Sequence, residues 1–203
     1  LDADGRLWVH VADVAALVRP DDAADEEARA RGATLYLPEG VIPMLPWQAT
    51  AQLGLGLQEI SPAFSFAIGL DADGQFASLE LTPSWVRVTR LTYEAADEII
   101  TEEPLASLQR LLQAYHAQRR ANGAVEIDLP EVDVFAHEGV VTIKPTPALR
   151  SRRLVENAMI LTGDAVARFA LQHQIPLPFA TQEIGDEATP ALRRAQTYTQ
   201  MLA

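Results

Sequence analysis

The sequence predicts an α+β fold in which an antiparallel sheet carries several packed helices. Three observations lead there. Apolar runs at 63–70 and 75–82 flank Asp71-Ala72-Asp73-Gly74, and Asp-Gly supplies the positive φ that tight hairpins need. Between Tyr93 and Arg120 the apolar period becomes helical, with Leu105, Leu108, Leu111, Leu112 and Tyr115 falling on one side. A long run from Leu149 to Gln174 places Leu154, Ala158, Leu161 and Ala165 on one stripe and stops before Pro176.

The elements follow in order. Residues 6–14, RLWVHVADV, are apolar and rich in β-branched side chains, which predicts a buried strand, with Leu7–Asp13 in the sheet. Asp21 and Asp22 precede a charged, Ala-rich stretch, Asp25–Arg31, that reads as a helix closed by Gly32. In TLYLPEGVIPMLPWQ three prolines forbid a continuous helix, so this segment is expected to be extended and tightly turned. A separate strand, Trp85–Leu91, is expected after Pro83, and Pro104 suits the first turn of the next helix. Strand signals return at 124–129, 132–136 and 140–144, the helix Leu149–Gln174 follows, and the tail 187–202 is again helical in pattern.

Leu-Asp-Ala-Asp-Gly occurs at 1–5 and again at 70–74. A calcium loop needs oxygen ligands at positions 1, 3 and 5 and a Glu at 12. Neither copy has that set, so both read as turns. No Gly/Ser-rich linker divides the chain, and residues 1–203 are expected to be part of one domain. That domain is expected to be incomplete at both ends, since the first residue borders a strand and the last falls inside a helical pattern.

Composition narrows the chemistry. With 48% hydrophobic and 22% charged residues, the 203-residue chain has the make-up of a globular protein able to bury a core. It has no cysteine, so disulfides and thiolate metal sites are excluded, and its four histidines show no zinc spacing. No apolar stretch is long enough to span a bilayer and no leader pattern opens the sequence, so a cytoplasmic protein without membrane contact is expected. The net charge of −12 and pI of about 4.7 count against nucleic acid as a partner. That objection weakens where a strand runs through a narrow channel, because local residues there outweigh the global sum.

Five stretches in register carry a resemblance. The first is Leu7-Trp8-Val9-His10-Val11-Ala12-Asp13-Val14. The second runs from Asp25-Glu26-Glu27-Ala28 through Arg31-Gly32 to Tyr36-Leu37-Pro38 and Val41-Ile42-Pro43-Met44-Leu45-Pro46. Arg90-Leu91-Thr92-Tyr93-Glu94 and Asn122-Gly123-Ala124-Val125-Glu126-Ile127 come next, and Arg153-Leu154-Val155-Glu156-Asn157-Ala158-Met159-Ile160 is the last. In this order they resemble the middle of the catalytic RNB domain of the ribonuclease II/R family, processive 3′-to-5′ hydrolytic exoribonucleases. There are departures. The family's aspartate cluster, roughly D-x-x-x-x-x-D-x-D-D, belongs before the first strand, and the sequence starts just after that point. The later T-S-P-I-R-R-Y segment is absent, Asn157 stands for the second glutamate, and an arginine usual after Pro-Met-Leu-Pro is replaced around Ser61-Pro62-Ala63.

The resemblance implies an RNB-like α+β fold and hydrolysis of single-stranded RNA to nucleoside 5′-monophosphates, with this chain forming part of the RNA channel. It implies Mg2+ held by ligands outside this chain, so no metal ligand and no catalytic acid is assigned within it; the segment alone is expected to be inactive. It also implies flanking RNA-binding domains in the intact protein. Substrate-binding roles fall on Tyr36, Tyr93 and Glu156. Tyr36 would set the RNA 3′ end and stack on its last base, since an aromatic face accepts any base; the other account is a core tyrosine with a satisfied hydroxyl. Tyr93 would sense the ribose 2′-hydroxyl, as a phenol can, or simply pack on Leu91. Glu156 would touch a ribose near the 3′ end, or pair with Arg152 or Arg153 on a solvated face. Met159, Ile160 and Gly163 beside it are odd company for such a face, and Gly163 in mid-helix points to a close approach.

His10 reads as a satisfied core histidine on the opposite face from Asp13. Asp13 at the strand end is a candidate support for a metal site, and Arg150, Arg152 and Arg153 are candidate phosphate contacts against a solvated-face alternative. Two rivals stand beside the nuclease: a non-catalytic RNA-binding relative, and an acidic protein-interaction domain.

Overall fold

The computed structural model describes residues 1–124 and 131–179, and it forms mixed helices and antiparallel sheets. The first strand, β1 (Leu7–Ala12), is followed by a short 3-10 turn at Val14–Ala16. Helix α1 (Ala23–Arg31) starts two residues before the expected Asp25 because Asp22 caps it, accepting the Asp25 N–H at 2.8 Å. Gly32, at φ 71°, closes it with an N–H donated to the Ala28 carbonyl.

The proline-rich excursion becomes a small hairpin, β2 (Leu35–Leu37) against β3 (Gly40–Ile42). It does not stay extended to its end. Helix α2 (Trp47–Leu53) begins directly after Pro46, which sits at the cap position, where a missing N–H costs nothing.

Strands β4 (Ser61–Leu70) and β5 (Phe76–Val86) form the long hairpin that Asp-Ala-Asp-Gly predicts, and the main sheet runs β1-β4-β5, antiparallel throughout. Two expectations need correction. β5 continues through Pro83 to Val86 rather than breaking there, and no strand occupies 87–91. An edge strand tolerates a residue without an N–H, and β5 is an edge. β1 is the opposite edge, not a buried strand; Leu7 is buried, while Val11 is 48% exposed. Leu7 and Val11 share a face, so that face is covered where the strand begins and open where it ends.

Both Leu-Asp-Ala-Asp-Gly copies close the same turn. Asp2 Oδ1 accepts the N–H groups of Asp4 and Arg6 at 3.0 and 2.9 Å, and Asp71 Oδ1 accepts those of Asp73 and Gln75 at 3.0 and 2.9 Å. Gly74 is needed twice over. Its φ is 76°, and a Cβ there would lie 2.8 Å from the Ala114 backbone carbon, so the hairpin tip rests on a helix.

That helix is α4 (Leu105–Ala121), which follows the short α3 (Tyr93–Glu98). A second separate hairpin, β6 (Val132–His137) with β7 (Val140–Pro145), precedes α5 (Arg150–His173), close to the expected 149–174. The core lies between sheet and helices: Leu7 and Ile68 meet Leu112, Tyr115, Leu161 and Ala165. Tyr115 donates its hydroxyl to Asp164 at 3.4 Å, and burial above all, then the Asp164 charge, pushes the phenol up to about 12. Residues 125–129 of the strand expected at 124–129 and the helix expected at 187–202 lie outside the described residues. Among the described residues no helix is long and apolar enough to cross a membrane.

Candidate functional site

The start of α5 is tied to α3. The Ser151 hydroxyl donates to the Tyr93 carbonyl at 2.8 Å, and the Ser151 N–H donates to Asp97 Oδ1 at 2.8 Å. Arg150 Nε lies 3.6 Å from Asp97 Oδ2. These contacts, the Ser151 N–H first, hold the Asp97 carboxyl below the usual carboxylate range. Thr92 caps α3 by accepting the Ala95 N–H, so Tyr93 emerges at a fixed helix start.

Beside this junction lies an almost wholly apolar cavity of about 160 Å³, walled by Leu91, Tyr93, Ile100, Leu105, Leu154 and Val155 among others. The Arg152 guanidinium lies over the Tyr93 ring, its carbon 4.6 Å from the ring centroid. Glu156 follows Arg152 by one helical turn and is exposed. Val155 and Met159, 37% and 68% exposed, continue the same strip. Gly163 is exposed as well, and a Cβ there would meet nothing within 4 Å, so no described part of the protein packs closely on it.

Tyr36 lies elsewhere, on β2, and at 80% exposure it is not a core tyrosine. It does not line the cavity that Tyr93 walls. Its hairpin touches the second one, for the Ala136 N–H donates to the Pro38 carbonyl at 2.9 Å. That bond joins the hairpin of Tyr36 to the one that carries Phe135, itself half exposed and with Lys144 Nζ 5.8 Å from its ring centroid. Nothing in the residue pattern marks Phe135 as functional. Flanked by Val134 and Ala136 it is indistinguishable from a core position, and only its exposure separates it.

His10 is exposed at the sheet edge rather than a core residue; its Nδ1 shares a 2.6 Å hydrogen bond with the Ser65 hydroxyl, and partial burial lowers its pKa. Asp13 lies just past β1 at the 3-10 turn, its N–H donated to the Pro62 carbonyl. Among the described residues no three His, Asp or Glu side chains converge so as to hold a metal ion. They do not fit a metal centre, and no metal-dependent step is assigned to them.

The arrangement comprises a phenol covered by a guanidinium, an exposed carboxylate one turn away, and two exposed aromatics on hairpins joined by a backbone hydrogen bond. Comparison with known proteins agrees in fold and in sequence. The chain is 40% identical over 192 residues to a ribonuclease of Synechocystis sp. described as uncharacterized, covering 89% of this chain and 28% of that protein. It is 36% identical over 198 residues to the chloroplastic/mitochondrial ribonuclease II of Arabidopsis thaliana, covering 88% of this chain and 24% of the relative. It thus spans between a quarter and a third of the first and about a quarter of the second. The RNase R of Mycoplasma genitalium, solved in complex with ribose-methylated single-stranded RNA, superposes with a TM-score of 0.79 at 23% identity, over 88% of this chain and 30% of that one. A family model for the RNB domain matches residues 1–202, and the chain belongs to that family, the ribonuclease II/R type.

Proposed function

We propose that residues 1–203 are part of a single RNB-type catalytic domain and form the RNA-holding part of a processive 3′-to-5′ hydrolytic exoribonuclease. The intact protein would degrade single-stranded RNA to nucleoside 5′-monophosphates with Mg2+, in the cytoplasm, assisted by flanking RNA-binding domains. The carboxylates that hold the metal are not among the residues described, and the work of this chain is to grip the strand. The observation that carries the reading is the Arg152 guanidinium over the Tyr93 ring, with the exposed Glu156 carboxylate one helical turn further along the same helix. A ribose 2′-hydroxyl is both donor and acceptor, and such a set offers partners for both. Tyr36 fits a different duty. Its exposed ring on a protruding hairpin suits stacking on a terminal base, where sequence does not matter.

The test is digestion of matched RNA and DNA strands by the intact protein, read on denaturing gels. Tyr36→Ala is expected to shift the length of the end product, because it loosens the clamp that sets the register. Tyr93→Ala combined with Glu156→Ala is expected to narrow the preference for RNA over DNA. A parental end product at the parental rate from the Tyr36 variant would remove the clamp assignment. An unchanged RNA:DNA rate ratio from the double variant would remove the ribose assignment. The net charge of −12 favours one rival, an acidic protein-interaction domain. Filter binding of a single-stranded oligoribonucleotide separates them, since that rival would retain none.

A further inference from the structure

The three cations nearest the start of α5 are handled differently. Arg150 is tied to Asp97, and Arg153 also has a partner. Arg152 sits over the Tyr93 ring, its Nε is buried, and that nitrogen has no hydrogen-bond partner among the described residues. A buried donor left unbonded is unfavourable, whereas an apolar side chain of similar length would cover the ring without that cost. In a chain with 28 acidic and only 16 basic side chains, three arginines within four residues form a local exception.

We propose that Arg152 is a specificity-determining positioning residue: it holds the Tyr93 ring in place and meets the phosphodiester adjoining the ribose that Tyr93 and Glu156 read. This rests on the ribose-reading role proposed above. The chemistry follows from the guanidinium. Its carbon lies over the phenol ring, and its terminal N–H donors are left to a phosphate oxygen arriving at the exposed strip. A lysine would keep the charge and lose the guanidinium over the ring. A methionine would keep apolar cover and lose the charge. One side chain thereby couples backbone contact to sugar recognition, so that a strand lying in register brings its ribose against a ring already oriented.

The experiment measures equilibrium binding of the intact protein to an oligoadenylate and to its deoxy counterpart, without divalent metal so that neither is consumed, across a range of salt concentrations. Arg152→Met is expected to make the slope of log affinity against log salt shallower by about 0.7, one phosphate on a single strand. It is also expected to bring the RNA:DNA affinity ratio toward that of Tyr93→Ala, with no further fall in the double variant. Arg152→Lys is expected to keep the parental slope and lower the ratio. Thermal melts accompany each variant, and if Arg152→Met unfolds, Arg152→Lys carries the test alone. A parental ratio in a folded Arg152 variant overturns the positioning role, even where the slope falls. A parental slope in Arg152→Met overturns the phosphate contact. If Tyr93→Ala itself leaves the ratio unchanged, the failure lies with the ribose reading, and the salt slope still reports on Arg152.

Discussion

The sheet with its two long helices and the pair of small hairpins are built from similar apolar residues, yet they spend them oppositely. In the first region Leu7, Ile68, Leu112 and Leu161 are at most 4% exposed and meet in one core. In the second, Leu35, Tyr36, Leu37, Val41, Val140, Val141 and Ile143 all lie between 47% and 80% exposed. Two-stranded ribbons cannot shield either face by themselves. Here β2–β3 and β6–β7 share a backbone hydrogen bond from Ala136 to Pro38 but bury little. The contrast separates residues that determine folding from residues free to meet a ligand, and substitutions should separate the same way.

The largest effect is expected in the core. Leu161→Ala removes a fully buried side chain facing Ile68 and Tyr115, and should lower unfolding free energy by about 2–5 kcal/mol. Urea denaturation measures it, and a loss below about 1 kcal/mol would mean the two regions do not differ as drawn.

On the hairpins the outcome should invert. Phe135→Ala is expected to leave stability within about 0.5 kcal/mol of the parent. Its binding of single-stranded RNA should weaken by about 1–3 kcal/mol, the usual contribution of one stacked base. A melt and a filter-binding titration on the same preparation decide this. A large loss of stability with intact binding would place Phe135 with the core residues instead.

The smallest effect concerns the junction between the two kinds of surface. Asp97 accepts hydrogen bonds from the start of α5, and its folded-state pKa is lowered, so the stability it contributes is present above the ordinary carboxylate range and lost as pH falls through the folded value. Asp97→Asn should therefore melt slightly below the parent near about pH 7, with the gap closing below about pH 4. Parallel melts at neutral and acid pH test it, and a gap that widens in acid would show the sign to be wrong.

Much of this was legible in the residues. Asp-Gly between two apolar runs identifies β4–β5, Asp22 and Gly32 bracket α1, and the stripe Leu154, Ala158, Leu161, Ala165 identifies α5, because each signal is local and each residue type has few alternatives. Position in the sheet was not legible. Pro83 looked like a break because a proline disrupts a central strand, and only the strand order, with β5 at the edge, makes it harmless. His10 and Val11 looked buried for the complementary reason: periodicity reports what a strand is made of, not how many neighbours it has.

The site divides along the same line. Sequence by itself determined the family, through motifs in register, and the candidacy of Tyr36, Tyr93 and Glu156, since these rest on residue identity and order along the chain. Tertiary structure alone decided that Tyr36 stands on an exposed hairpin bonded to the one that carries Phe135, and that Arg152 covers the Tyr93 ring with a nitrogen unbonded among the described residues. Exposure and stacking depend on which distant segments fold against a residue, and neither spacing nor composition encodes that.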